Sequence, residues 1–305
     1  MDRGWRYWRN LGCFVMAVLL LAAVGLAVGV SWWQADAFLH PHRHRPAETP
    51  ADRGLAYQDV RFSAPDGLTL RGWYLPSQNG AAVIVGHGIG AYRALDPAEV
   101  LARHGYGVLA FDWRAHGESD GELCTFGYYE VRDVAGALAW LQKQPGVDPG
   151  RIGMLGQSMG AVTAIRAAAQ MPDIKAVVAE SPYPSLEESI HNLWRDTGLP
   201  AFPFVPLQVA LGEWRTGLSL DDMDPLGDAA ALSPRPILIL AGGQHAITGP
   251  DAGARYSAAA GEPKELWFEP DLGHVSFLRA RPGEYERRVV GFFHAALLEE
   301  GGNAP

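Results

Sequence analysis

The stretch "RIGMLGQSMG", residues 151–160, sets Ser158 between Gly156 and Gly160, where an apolar run gives way to the helical pattern "MGAVTAIRAAAQM". In a chain with 36 glycines a G-x-S-x-G match carries little by itself. Its context gives it meaning, because a strand pattern that turns sharply into a helix is what lifts a serine hydroxyl clear of a sheet edge. The two glycines allow the tight approach, and the helix N-terminus favours developing negative charge. A hydroxyl is a poor nucleophile near neutral pH and needs a base within hydrogen-bond reach, a task suited to histidine. Of ten histidines, His274 in "EPDLGHVSF" follows the final strand pattern, where a strand-to-helix loop returns to the sheet's C-terminal edge. His116, in "FDWRAHGESDG", follows an earlier strand and is expected to organise that loop, with Asp112 and Asp120 pinning it through backbone amides. Acyl transfer also needs oxyanion donors, and the backbone N–H groups of Met159 and of Ile89 in "GHGIGAY" are placed to supply them.

These residues require a scaffold that brings distant segments to one edge. From residue 57 onward, short apolar or β-branched runs alternate with longer helical patterns, the mark of an α/β domain with a largely parallel sheet. "YQDVRFS" and "LTLRGWYL" flank the turn "APDG" and read as an antiparallel hairpin. Buried-type runs follow in "AAVIVGH", "GVLAFDW", "RIGMLGQ", "KAVVAE", "RPILILAGG" and "KELWFE", which makes eight strands. Helices are expected near 97–104, 127–143, 159–171 and 251–260, and over the closing "GEYERRVVGFFHAALLEE". Residues 181–233 break the alternation. Proline-rich, aromatic and too long for an ordinary connection, they read as a lid, whose Trp194, Phe202, Phe204 and Trp214 either line an acyl pocket or pack the lid onto the core.

In family order, "VGHGIG", "FDWRAHGESDG", "RIGMLGQSMGA", "AVVAESPY", "PILILAGG" and "GHVSF" resemble the α/β-hydrolase superfamily over about residues 55–300. Within it, the chain is similar to bacterial single-pass membrane-anchored serine hydrolases, esterase- or peptidase-like, with a small cap. The resemblance implies an α/β-hydrolase fold with an eight-stranded, mostly parallel sheet and helices on both faces. It also implies a Ser158 nucleophile, a His274 base and hydrolysis of an ester or related acyl bond, with no cofactor. One position departs from the family. The strand "PILILAGG" is usually followed by an aspartate that orients the histidine, and here that place falls to His245. The orienting group is then Glu180 at the end of "KAVVAE", His245 itself through a neutral ring nitrogen, Asp271 or Asp251, unless efficient catalysis has been lost. Glu180 also has a plainer role available, as a cap on the turn "PYPSLEES".

The N-terminal region is of a different kind. Residues 11–30, "LGCFVMAVLLLAAVGLAVGV", carry no charge and match a bilayer's hydrocarbon thickness as a helix, with Trp5, Trp8, Trp32 and Trp33 where interfacial rings belong. The organisation expected is a cytoplasmic segment over 1–10, a transmembrane helix over 11–33, a juxtamembrane linker over 34–54 and the hydrolase domain over 55–300. Arg3, Arg6 and Arg9 precede the span while Arg43 is the first arginine after it, which favours a cytoplasmic N-terminus and an outward-facing domain. A cleaved signal peptide ending at the A-x-A pattern of Ala35 and Ala37 is the competing reading, against which the 20-residue apolar run is long. His40, His42 and His44 read as polar linker, so no metal site is assigned.

The net charge of −9, with 34 acidic against 25 basic residues and no basic stripe, argues against a nucleic-acid partner. Of the two cysteines, Cys13 and Cys124, the first lies in the apolar stretch expected to sit in lipid, so no bridge between them is expected. The partners expected are the membrane and a small-molecule acyl substrate; oligomeric state leaves no mark. A membrane-anchored serine hydrolase (carboxylesterase-like) is the leading reading. Beside it stand a catalytically weak protein of the same fold that binds a ligand or partner under its lid, as the His245 substitution suggests, and an acyltransferase or peptidase.

Overall fold

The structure, a computed structural model, describes residues 2–244 and 247–299. Its first element is a long helix, α1 (Asp2–Leu39). The helix is long and apolar enough over Gly4–Leu39 to cross a membrane, and an 18-residue stretch of it reaches a mean hydropathy of 2.8 and is only 6% buried. The helix runs on past the expected boundary at residue 33, so 34–39 is helical rather than linker. Packing explains the extension. Ala27, Ser31, Ala35 and Leu39 recur every four residues, lie on one helical face and are buried, and the Ser31 hydroxyl donates to the Phe204 carbonyl of the lid at 3.0 Å.

Among the described residues, eight strands form one sheet in the order β1-β2-β4-β3-β5-β6-β7-β8. β1 (Gln58–Ser63) and β2 (Thr69–Leu75) make the expected antiparallel hairpin, and β2 pairs antiparallel with β4 (Gly107–Phe111). β3 (Ala82–Gly86), β5 (Ile152–Gln157), β6 (Ile174–Glu180), β7 (Ile237–Gly242) and β8 (Lys264–Glu269) run parallel. The central strands are continuous apolar runs because helices cover both faces. Alternation along β3 sends Ile84 into one core layer and Val83 and Val85 into the other. The first layer is closed by α3 (Glu130–Leu141), α4 (Met159–Gln170) and α8 (Ala252–Ala259), and the second by α2 (Leu95–Arg103), α9 (Phe277–Ala280) and α10 (Pro282–Leu297).

The segment expected as a lid divides in two. α5 (Leu186–Asp196) and α6 (Phe204–Thr216) stand over the sheet edge, with α6 packed along α1. α7 (Pro225–Ala230) instead packs between α4 and α8 and belongs to the body. The lid has a small core of its own in Ile190, Trp194 and Val205.

Candidate active site

Ser158 occupies the turn between β5 and α4 with φ 55° and ψ −118°, a conformation that L-residues rarely adopt. The surroundings hold it there. Its N–H donates to the Glu180 carbonyl at 2.9 Å, while its own carbonyl accepts from Ala161 and Val162 at the head of α4. A Cβ on Gly156 would lie 2.0 Å from the Gly160 carbonyl oxygen, and one on Gly160 would lie 2.5 Å from that of Gly86. Both glycines are therefore steric requirements of the elbow.

His274 sits in the loop after β8 and brings Nε2 to 2.8 Å from the Ser158 hydroxyl oxygen, across 116 residues of sequence. The next residue, Val275, is held at φ 45°, a costly conformation for a β-branched side chain. The end of β6 supports this loop. Val275 N–H donates to the Ser181 hydroxyl at 3.2 Å, and Phe277 N–H donates to Glu180 Oε1 at 3.2 Å.

Glu180 thus has a role that the sequence reading did not give it. Its other oxygen, Oε2, accepts from the Gln157 side chain at 2.9 Å, so the fully buried carboxylate ties the elbow to the histidine loop. Neither oxygen is bonded to the imidazole, and burial pushes the carboxyl group's pKa up. The turn that Glu180 was alternatively expected to cap is served by Ser185, whose hydroxyl accepts from Glu188 N–H. Asp271 is paired with Arg281 at 2.9 Å, and Asp251 is exposed at the start of α8. His245 lies outside the described residues. The part played by Gln157 and Ser181 had no sequence signal, because it depends on which loops meet beyond β5 and β6.

The glycine-rich loop after β3 passes directly beside the serine: a Cβ on Gly88 would lie 3.3 Å from that of Ser158. His116 organises this loop, as expected. Its Nδ1 faces the Arg114 carbonyl at 2.9 Å and must carry the proton, which leaves Nε2 to accept from Gly90 N–H at 3.3 Å. His87, not singled out from sequence, braces the other side by donating Nδ1–H to the Gly88 carbonyl and accepting Trp113 N–H at Nε2. Burial holds the pKa values of both rings below the ordinary histidine value, that of His87 at about 3. Asp112 and Asp120 accept from backbone N–H groups of Arg93, Glu118 and Thr69, the loop-pinning role expected of them.

Ser158, His274, Ile89 and Met159 line one cavity of about 590 Å3, within the range of small-molecule sites. Among the described residues, neither the Ile89 nor the Met159 amide donates to a protein acceptor. Much of the remaining wall is apolar and includes Phe38 of α1, Phe126, Leu186 and Ile190. The four lid aromatics lie elsewhere: Trp194 and Phe204 stack at 5.1 Å inside the lid, while Phe202 and Trp214 are exposed. The segment after α1 joins the rim through Pro41 and His42, and Arg43 holds it down by donating to the Ser119 carbonyl at 2.7 Å. Among the described residues, no group of three or more His, Cys, Asp or Glu side chains is gathered to hold a metal.

Comparison with known proteins agrees with this architecture. The family model for X-Pro dipeptidyl-peptidase (S15 family) matches residues 35–226. The protein Rv2307c of Mycobacterium tuberculosis, of uncharacterized function, is 32% identical over 265 residues, covering 85% of this chain and 87% of that protein. Thiohydrolase aneE of Aspergillus aculeatus is 36% identical over a shorter stretch of 132 residues, 41% of this chain and 42% of that protein. Among solved structures, the Pyrococcus furiosus esterase Pf2001 superposes with a TM-score of 0.74 at 28% identity, over 85% of this chain and 98% of the esterase. A family match of that extent, with a mycobacterial relative aligned over most of both chains, makes this chain a member of the X-Pro dipeptidyl-peptidase (S15) family, built on the α/β-hydrolase fold.

Proposed function

We propose that the protein is a membrane-anchored serine hydrolase of carboxylesterase type, acting on an ester or related acyl bond. The observation that carries this reading is the 2.8 Å approach of His274 Nε2 to a Ser158 hydroxyl raised on a strained elbow. Ser158 Oγ adds to the acyl carbonyl carbon as its proton passes to His274 Nε2, and the Met159 and Ile89 amides stabilise the oxyanion. The leaving alcohol or thiol departs with that proton. Water, deprotonated by His274, then attacks the acyl-enzyme and releases the acid. The esterase, thiohydrolase and peptidase names among the similar proteins support acyl chemistry without selecting the bond. α1 is read as a retained anchor with a cytoplasmic N-terminus. Its buried face and the Phe38 wall of the cavity support retention, since cleavage at Ala35 to Ala37 would remove part of that packing.

A fluorophosphonate probe tests the chemistry: the full-length protein should label at Ser158 and Ser158→Ala should not. Intact protein that labels no better than Ser158→Ala would reject it. A second reading, a ligand-binding protein with weak catalysis, draws on the placement of Glu180, whose carboxylate is spent on Gln157 and Phe277. It predicts saturable ligand binding, unaffected by Ser158→Ala, with no turnover.

A further inference from the structure

A second apolar space adjoins the cavity over Ser158. Phe38, Phe126, Leu186 and Ile190 also line a narrower slot of about 70 Å3 that lies between α1 and α6, beside Ala35, Val209 and Gly212. Three polar side chains along the slot are engaged within the protein: Gln208 Oε1 accepts from Trp194 Nε1 at 2.8 Å, the Thr216 hydroxyl donates to the Gly212 carbonyl at 2.8 Å, and the Thr125 hydroxyl donates to Glu130 at 2.7 Å. A peptide placed there would meet few partners for its own N–H and C=O groups, whereas a hydrocarbon chain needs none.

The slot's position adds a second observation. Its α1 wall continues the apolar span by one turn, and an exposed aromatic of the lid, Trp214, stands beside that helix. Trp214 lies 6.2 Å from Trp32 between ring centroids, and Arg215 stacks on Trp32 at 4.7 Å. Trp33 and Trp214 are 65% and 73% exposed. Aromatic rings exposed next to a membrane span belong at the bilayer interface. The lid, the end of α1 and the slot therefore share one membrane-side location.

We propose that the substrate is the long-chain acyl ester of a membrane amphiphile, its tail lying in the main cavity and the slot between α1 and α6, its carbonyl presented to Ser158. This rests on the hydrolase reading for its chemistry and on α1 as an anchor for its route. The products are a free fatty acid and the alcohol portion.

The test uses full-length protein in nanodiscs and a series of p-nitrophenyl esters from acetate to palmitate. In the wild type kcat/KM should rise with chain length, by up to about fourfold for each methylene that enters apolar space. Gly212 has no atom within 4 Å of where its Cβ would stand, so Gly212→Phe can plug the slot. It should cut the palmitate-to-acetate ratio tenfold or more, and Gly291→Phe, on an exposed face of α10, should leave the ratio alone. Gly212→Leu, a smaller plug, gives the same readout if the phenylalanine variant melts early. Independently of catalysis, Ser158→Ala should bind cis-parinaric acid, and adding Gly212→Phe should weaken that binding about tenfold. Acetate hydrolysis with a flat chain-length profile and no fatty-acid binding would overturn the tail site while leaving the hydrolase intact. Binding that Gly212→Phe weakens, with no ester hydrolysed, would uphold the tail site and remove the hydrolase reading. A rising profile indifferent to both Gly212 plugs would overturn the slot.

Discussion

Ser158, Ser181 and Val275 all hold positive φ angles within one hydrogen-bonded cluster, and the carboxylate of Glu180 lies at its centre. Backbone strain of this kind costs about 1–3 kcal/mol per residue and persists only where its surroundings over-determine it. A Glu180 that anchors the histidine loop behaves differently from one that orients the ring. Glu180→Gln keeps an acceptor for Phe277 N–H, and the Gln157 amide can turn its oxygen to meet the new amide. Its kcat/KM should therefore fall less than about tenfold, against about 10⁴-fold if the charge itself oriented His274. Steady-state kinetics across pH on the Gln variant separate the two. Glu180→Ala leaves a buried amide without an acceptor and should destabilise by about 1–3 kcal/mol in urea unfolding.

At the scale of elements, the β5–α4 junction tolerates no added atoms. Gly160→Ala would drive a methyl group into the Gly86 and His87 carbonyls, at 2.5 and 2.7 Å. Both obstacles are backbone, so relief requires β3 and α4 to part. Destabilisation of about 3 kcal/mol or more and loss of fluorophosphonate labelling are expected, measured by thermal melting beside the labelling gel. The α1–α6 contact differs because it is a side-chain stripe of small residues. Ala35→Glu places a charge on that buried face and in the slot wall. It should loosen the lid, seen as faster amide exchange over 204–216, while the sheet remains protected.

For the whole molecule, acid stability should follow the neutral histidines that brace the glycine-rich loop. Burial, with His116 and Arg93 adding to it, holds His87 at about 3 in the fold, so between that value and about 6.5 the unfolded chain binds a proton that the folded chain refuses. The stability involved is full above about pH 6.5 and is lost as pH falls toward 3, roughly 2 kcal/mol between pH 7 and 5. Glu180 acts with the opposite sign. Its raised folded pKa means that acidification through that value relieves a buried charge. His87→Asn isolates the histidine part: less stable at pH 7, it should show a shallower fall to pH 5 in urea midpoints than the wild type. An unchanged slope would mean that His87 titrates near its ordinary value.

Sequence alone determined the features that rest on local pattern. Apolar runs flanked by turn residues specified the strands, G-x-S-x-G between a strand and a helix specified the elbow, and twenty uncharged residues specified a helix fit for a bilayer. These signals are legible because period, length and steric need are written in consecutive residues. His274 could be ranked above nine other histidines because topology returns the last loop to the nucleophile's edge of the sheet. Only the tertiary structure decided what occupies the space between segments far apart in the chain. It gave Glu180 to Gln157 and Phe277, His87 to the glycine-rich loop that follows it, α7 to the body rather than the lid, and the end of α1 to the wall of the cavity. A buried carboxylate or an apolar helix face carries no record in sequence of which partner will satisfy it, since the choice depends on loop conformations and on how the helices cross.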